Sequence, residues 1–220
     1  KDFDKKPTDN EAFKEDSPLA EVFKLDEAKQ ENGLYGVLNK GMLIPETVQV
    51  KEDSISLGRF EVTNAQFKAF KEAFSFDAGK DNYPALVSKT EAENYVSWLS
   101  AQTGKTYRLP NANEAEKLQQ KAAESAKGQN NLNTWAGYDL TADDAAMLRQ
   151  KVNSLTYSLL KPVGSNKSVK IGEAILYDLG GNVAEYSATG TYDYSAYDFA
   201  DPYDQKPVKS EHVGFRIVEE

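Results

Sequence analysis

The stretch Leu176-Tyr177-Asp178-Leu179-Gly180-Gly181-Asn182-Val183-Ala184-Glu185-Tyr186 weighs most on the choice of fold. Two apolar runs flank a glycine pair, with one carboxylate on each side, at Asp178 and Glu185. Glycine has no Cβ, so Gly180-Gly181 lets the backbone bend sharply there. Taken alone, the stretch reads as a glycine turn carrying two solvated acids. The 27 residues that follow Tyr186, residues 187–213, lead to a terminal Gly214-Phe215-Arg216.

Upstream, three helix starts are spelled out by capping boxes, in which a side-chain oxygen accepts from an orphan backbone N–H and the residue three positions on reaches back. They are Thr63 with Gln66, Ser88 with Glu91, and Asn111 with Glu114. Phe67, Phe70 and Phe74 follow the first box at helical spacing and predict one core-facing stripe. Ala92, Tyr95, Val96 and Leu99 do the same after the second, and Gly104 supplies a left-handed stop. The third helix is rich in Ala, Gln, Glu and Lys, ends at Gly128, and has only Leu118, backed by Ala115 and Ala122, to bury; it is expected at the periphery. Short strand-like runs stand around these helices: Val37-Leu38, Met42-Leu43-Ile44, residues 48–57 with loose alternation, and Thr106-Tyr107-Arg108-Leu109. Two or three helices among short strands and long polar loops indicate an α+β domain rather than a parallel α/β sheet.

Composition narrows the chemistry. In 220 residues there are 26 Lys+Arg and 35 Asp+Glu, for a net charge of −9, which argues against nucleic acid as a partner because such binding relies on cations displacing counterions from phosphates. There is no cysteine and one histidine, His212. Disulfides, thiolate nucleophiles, thiolate-held metals and sites needing several imidazoles are therefore excluded. His212 reads as a hydrogen-bonded strand residue rather than a base, and no serine lies in a nucleophile-elbow motif. No run reaches the 18 or more apolar residues of a membrane helix.

Residues 1–33 read as a charged N-terminal arm or linker, with ten acids, six bases, Pro7 and Pro18 before Gly33. Residues 34–220 read as the folded domain.

Read in order, the motifs resemble the formylglycine-generating-enzyme, or sulfatase-modifying-factor, family. The resemblance rests on residues 58–70 around Val62-Thr63-Asn64, then Pro84, Ser88-Lys89-Thr90-Glu91-Ala92 and Tyr95-Val96-Ser97-Trp98-Leu99. It continues through Arg108-Leu109-Pro110-Asn111, Asn133-Thr134-Trp135-Ala136-Gly137, Pro162-Val163-Gly164-Ser165, residues 176–186 and Gly214-Phe215-Arg216. It implies a C-type-lectin-like fold of the formylglycine-generating-enzyme kind: α+β, rich in loops, with two or three helices around short antiparallel strands, stabilised by calcium. It also implies that catalytic members use copper held by two cysteines, and that a related branch holds iron with three histidines. Neither ligand set exists in this chain. The long segment with an Arg-Gly-Gly-Ser-Trp motif that enzymatic members carry before the last motif is replaced by the acidic, tyrosine-rich residues 191–204.

From the resemblance, a calcium loop maps onto a side-chain oxygen of Asp178, the carbonyls of Gly181 and Val183, and the carboxylate of Glu185. Calcium takes six to eight hard oxygens, and those residue types supply them. A second calcium site maps onto Asn133 and the carbonyl of Thr134, with Asp143 or Asp144 downstream. Tyr192, Tyr194, Tyr197 and Tyr203 offer rigid faces with polar tips to a sugar or peptide, or else tuck against the domain. The chain is thus expected to be a non-catalytic family member: a calcium-stabilised binding or structural scaffold with a protein partner, in a bacterial extracytoplasmic assembly at the periplasm or cell surface. A start at Lys1 is expected of a processed form and leaves room for a lipid anchor upstream. The alternatives are a degenerate enzyme built on His212 and carboxylates, and a carbohydrate-binding module using residues 192–203.

Overall fold

The computed structural model describes residues 28, 30–125, 141–147, 160–166, 168–179, 181–192 and 213–220. The first strands form two hairpins: β1 (Gln30–Glu31) with β2 (Leu34–Tyr35), and β3 (Val37–Asn39) with β4 (Met42–Ile44). Gly33, the expected domain boundary, lies in the turn of the first hairpin with φ 79°, and Ala28 before it is buried against Phe60, Val163 and Tyr177. Residues on both sides of Gly33 therefore belong to one packed unit.

Residues 48–57 are two strands joined by a turn. β5 (Thr47–Val50) pairs antiparallel with β6 (Ile55–Gly58), and Ser54 takes φ 55° between them. The C-terminal strand β13 (Val218–Glu219) inserts between β6 and β7 (Tyr107–Arg108), giving a four-stranded sheet in the order β5-β6-β13-β7. β8 (Val169–Ile171) and β9 (Ala174–Leu176) form a further hairpin. In a three-stranded sheet, β10 (Ala184–Tyr186) pairs antiparallel with β11 (Thr191–Tyr192) and parallel with β12 (Val213–Gly214). That parallel pair departs from the expected antiparallel pattern. It brings residues 178–186 beside the chain's last segment.

All three capping boxes form. Thr63 and Gln66 bond reciprocally at α1 (Asn64–Phe70), Ser88 and Glu91 at α2 (Lys89–Thr103), and Asn111 and Glu114 at α3 (Ala112–Ser125). Gly104 ends α2 with φ 77°. A further helical stretch covers residues 142–147. α1 is shorter than its phenylalanine spacing implies: Lys71 turns extended, and Phe74 lies beyond the helix, its N–H donating to the Lys71 carbonyl. The ring still packs on Phe67, at 4.8 Å between centroids. The main core joins Phe67, Tyr95, Leu99, Phe215 and Ile217, with the half-buried Trp98 against it. A second cluster places Ala115 and Leu118 of α3 against Leu57, Leu176, Leu179 and Val218.

The second capping box is also a pH-sensitive joint. The Lys71 ammonium, followed by the Ser88 donors, holds the Glu91 carboxyl down to about 2. Because the folded value lies below the unfolded one, this bracing is complete above the ordinary glutamate range and fades as pH falls toward 2. Melting temperatures between pH 5 and about 2 should fall less steeply in Glu91→Gln than in the wild type. At neutral pH the partly exposed pair should cost less than about 1 kcal/mol when lost.

Candidate functional site

Where residues 58–62, 176–178, β10 and residues 215–217 run past one another, four ionisable side chains are sealed from solvent: Glu61, Asp178, Glu185 and Arg216, each exposed by 1% or less. The backbone sets their positions. Gly58 N–H donates to the Ile217 carbonyl at 2.8 Å and Val62 N–H to the Phe215 carbonyl at 2.9 Å, so residues 58–62 lie alongside Arg216. Tyr177 N–H donates to the Arg59 carbonyl at 3.0 Å and draws Asp178 to the same place. At Gly58 an added Cβ would come within 3.2 Å of Arg216 Cγ and 3.1 Å of the Phe60 carbonyl oxygen, so glycine permits this close approach.

Arg216 is the hub. Its Nε and Nη2 donate to Glu185 Oε2 at 3.2 Å and Oε1 at 2.8 Å. Nη1 donates to the Gly58 carbonyl and Nη2 to the Tyr177 carbonyl, each at 2.8 Å. A planar fork of donors suits this fourfold contact, which lysine could not reproduce. Asp178 is held by N–H groups: Gly164 N–H donates to Oδ2, and the Asn166 N–H and Nδ2 donate to Oδ1 at 2.9 and 3.0 Å. Burial pushes its carboxyl above the ordinary value against the pull of these donors.

Glu61 differs from both. Neither of its carboxylate oxygens has a hydrogen-bond partner. Burial, then the charges of Asp178 and Glu185, push its carboxyl well above the ordinary range. With all four groups ionised, three carboxylates against one guanidinium leave a net charge of −2 in the interior.

The glycine bend expected at Gly180-Gly181 includes Gly180, which lies outside the described residues. Asp178 and Asn182 take the left-handed conformation, at φ 62° and 68°, which short polar side chains tolerate. Asn182 fixes the turn from the side, accepting from Lys161 N–H at 3.1 Å and donating to its carbonyl at 3.2 Å. Gly181 and Val183 are buried beside the cluster.

The acids expected at the glycine string are thus buried rather than solvated and are brought into one polar cluster. Asn133, Thr134, Tyr194, Tyr197, Tyr203, Trp135 and His212 lie outside the described residues. Tyr192 lies on β11, its backbone paired with Glu185. Asp144 lies within the helical residues 142–147, which Thr141 caps: Thr141 Oγ1 accepts from Asp144 N–H at 3.2 Å and donates to Asp144 Oδ2 at 2.8 Å. Glu61, Asn166, Asn182 and Arg216 were given no role from sequence. The available signal was a charged residue inside apolar strand text, at Phe60-Glu61-Val62 and Phe215-Arg216-Ile217.

The fit to a hard divalent cation can be judged from the donors. Among the described residues no three acidic or imidazole side chains are gathered closely enough to hold an ion alone. An ion at this string would draw on backbone carbonyls as well as Asp178 and Glu185. The oxygens of these residues are of the hard kind that calcium takes, and in this structure Glu185 spends them on Arg216 and Asp178 on three N–H donors.

The family model for the sulfatase-modifying factor enzyme 1-like domain matches residues 23–200. The chain belongs to the sulfatase-modifying-factor family. The fold agrees with that of the family: a mixed α and β domain of short sheets, helices and long connections. Among solved structures, the sulfatase-modifying-factor domain is similar to PvdO from Pseudomonas aeruginosa, at 20% identity over 76% of this chain and 80% of that one, with a TM-score of 0.46. It is also similar to CarF, at 17% identity over 84% and 94% of the two chains with a TM-score of 0.42. Treponema denticola variable protein 1 shows 16% identity over 75% and 84%, with a TM-score of 0.43. No match was found among curated proteins. Among the described residues no helix is long and apolar enough to cross a membrane.

Proposed function

We propose that this chain is a non-catalytic, calcium-stabilised binding or structural scaffold of the sulfatase-modifying-factor type, acting through a protein partner in a bacterial extracytoplasmic assembly. The observation that carries the reading is the burial of the string's acids, with Glu185 held by Arg216 and Asp178 by three N–H donors. Groups sealed in this way brace the fold and meet no substrate. Composition supports the same reading: copper held by thiolates needs cysteine and iron held by imidazoles needs several histidines, whereas the chain has none and one.

Calcium, when bound at 178–185, would add positive charge beside the buried acids. An ion that binds only the folded state stabilises it by about 2.7 kcal/mol at one hundred times its dissociation constant. For a domain of this size that corresponds to a rise of roughly 5–10 °C in melting temperature. The test is metal analysis of the purified protein together with melting curves in excess calcium and in chelator. Bound calcium and a chelator-sensitive melting temperature are expected. Copper or iron retained by the protein, together with oxygen consumption, would overturn the non-catalytic reading.

A further inference from the structure

We propose that the cleft between α3 and the β5–β6 hairpin is a partner-anchoring pocket, taking one large apolar side chain of a polypeptide that is flanked there by lysine or arginine. The inference rests on the binding-scaffold reading above and names the chemistry of the partner. The cleft is a cavity of about 230 Å³. Its floor is made by Leu57 and Leu118, both buried, with Ile55 and Ile171, both half-buried, so the second apolar cluster reaches the surface here. The composition of α3 leaves the space open. Along the cleft the helix contributes Glu114, Lys117, Gln120 and Lys121 beside Leu118, and no second large apolar side chain fills the gap to the hairpin.

Size decides the occupant. An apolar cavity of about 150 Å³ takes benzene, whereas pockets for drug-sized ligands and cofactors run to about 300–1,000 Å³. The cleft falls between these, large enough for a leucine or phenylalanine side chain and too small for a nucleotide. An apolar anchor seated in such a pocket and ringed by polar contacts is how protein interfaces concentrate their affinity. Charge at the rim sets what flanks the anchor. The Lys117 ammonium bridges from α3 to Asp53 in the hairpin turn, and its pKa is held up first by Asp53, then by the charges of Glu52 and Glu114. Glu114 is engaged by Arg108, which donates to it at 2.7 and 2.9 Å. Lys121 has an interaction of its own. Among the described residues Glu52 is the rim carboxylate that joins no ion pair, and it is exposed. It is open to a cation on the partner, and the chain's net charge of −9 favours a basic partner in the same sense.

Three capped tripeptides, Lys-Phe-Lys, Glu-Phe-Glu and Lys-Ala-Lys, titrated into the isotope-labelled full chain and followed by backbone amide shifts, test the assignment. Lys-Phe-Lys should give saturable shifts at millimolar concentration, largest among residues 50–57 and 114–121, and both controls should bind roughly tenfold more weakly or worse. Glu52→Lys reverses an exposed charge without touching the core; it should weaken Lys-Phe-Lys severalfold and favour Glu-Phe-Glu. Ile55→Trp fills the cleft and should abolish binding. If that variant does not fold, Gln120→Trp covers the cleft from an exposed helix position and is read the same way. Shifts lying away from these residues, or a Lys-Phe-Lys affinity unchanged by both the charge reversal and the filling variant, would sink the proposal. So would the same amides shifting when the protein alone is diluted, since the occupant would then be a second copy of this chain. Absence of shifts with all three peptides removes the pocket and leaves the scaffold reading standing. Retained copper or iron with oxygen consumption overturns that reading whatever the peptides do.

Discussion

Arg216→Met is expected to lower the free energy of unfolding by about 3–5 kcal/mol, the range found when one partner of a buried ion pair is removed. Methionine fills most of the arginine stem's volume, so the loss is electrostatic rather than a cavity effect. Three groups lose the Arg216 donors: the Glu185 carboxylate and the carbonyls of Gly58 and Tyr177. Each would stay buried, because Glu185 is fully enclosed and Gly58 and Tyr177 are buried positions. Arg216→Lys keeps the charge but cannot fork to Glu185 and both carbonyls, so its loss should be smaller yet clear. The double variant Glu185→Gln, Arg216→Met should recover part of the stability, since an uncharged amide no longer needs a cation. Urea unfolding in chelator, followed by far-UV circular dichroism, measures these differences without an ion's contribution. A loss below about 1 kcal/mol for Arg216→Met would put the pair in the class of surface ion pairs and refute its place as the hub.

What could be read from sequence followed the range of the interactions involved. The three capping boxes are chemistry within four residues, and each forms as its letters require. The buried face of α2 was visible for the same reason. The β5–β6 hairpin was not, because its turn runs through Lys51-Glu52-Asp53-Ser54, with Ser54 rather than glycine or asparagine taking the left-handed position. α1 stops at Phe70, so the Phe74 ring joins the same cluster from a turn, and helical spacing happened to name the right residue on the wrong element. At the candidate site the motif text gave Asp178 and Glu185 but none of their partners. Arg216 is 31 residues from Glu185 and 158 from Gly58, distances at which pairing is decided by sheet topology. The parallel β10–β12 ladder and the insertion of β13 beside β6 bring them together. A lone charge within an apolar strand run, negative at Glu61 and positive at Arg216, was the trace of that pairing left in the sequence.

Phe67→Ala should cost about 3–5 kcal/mol, comparable to the loss at the ion pair but of a different physical kind. Phe67 is fully buried, and its ring meets Phe70 at 5.4 Å, Phe74 at 4.8 Å, Tyr95 at 5.6 Å and Phe215 at 6.2 Å between centroids. These contacts join α1, the turn after it, α2 and the final strand segment, so truncation opens a cavity that no single element can close by shifting. The edge-on and stacked geometries add to simple area burial, each pair by roughly 0.5–1.5 kcal/mol. Phe70→Ala is the internal comparison: its ring is half-buried at the rim against Tyr95 and Trp98, and water can reach the space it leaves. Its cost should be well below that of Phe67→Ala. Because the loss at Phe67 comes from packing, it should persist unchanged in calcium, in chelator and from pH 5 to 8. The loss at Arg216, by contrast, should shift with the ionisation of the carboxylates around it. Equal costs for Phe67→Ala and Phe70→Ala, measured by urea unfolding under the same conditions, would show that the cluster is a partly wet surface patch and not the centre of the core.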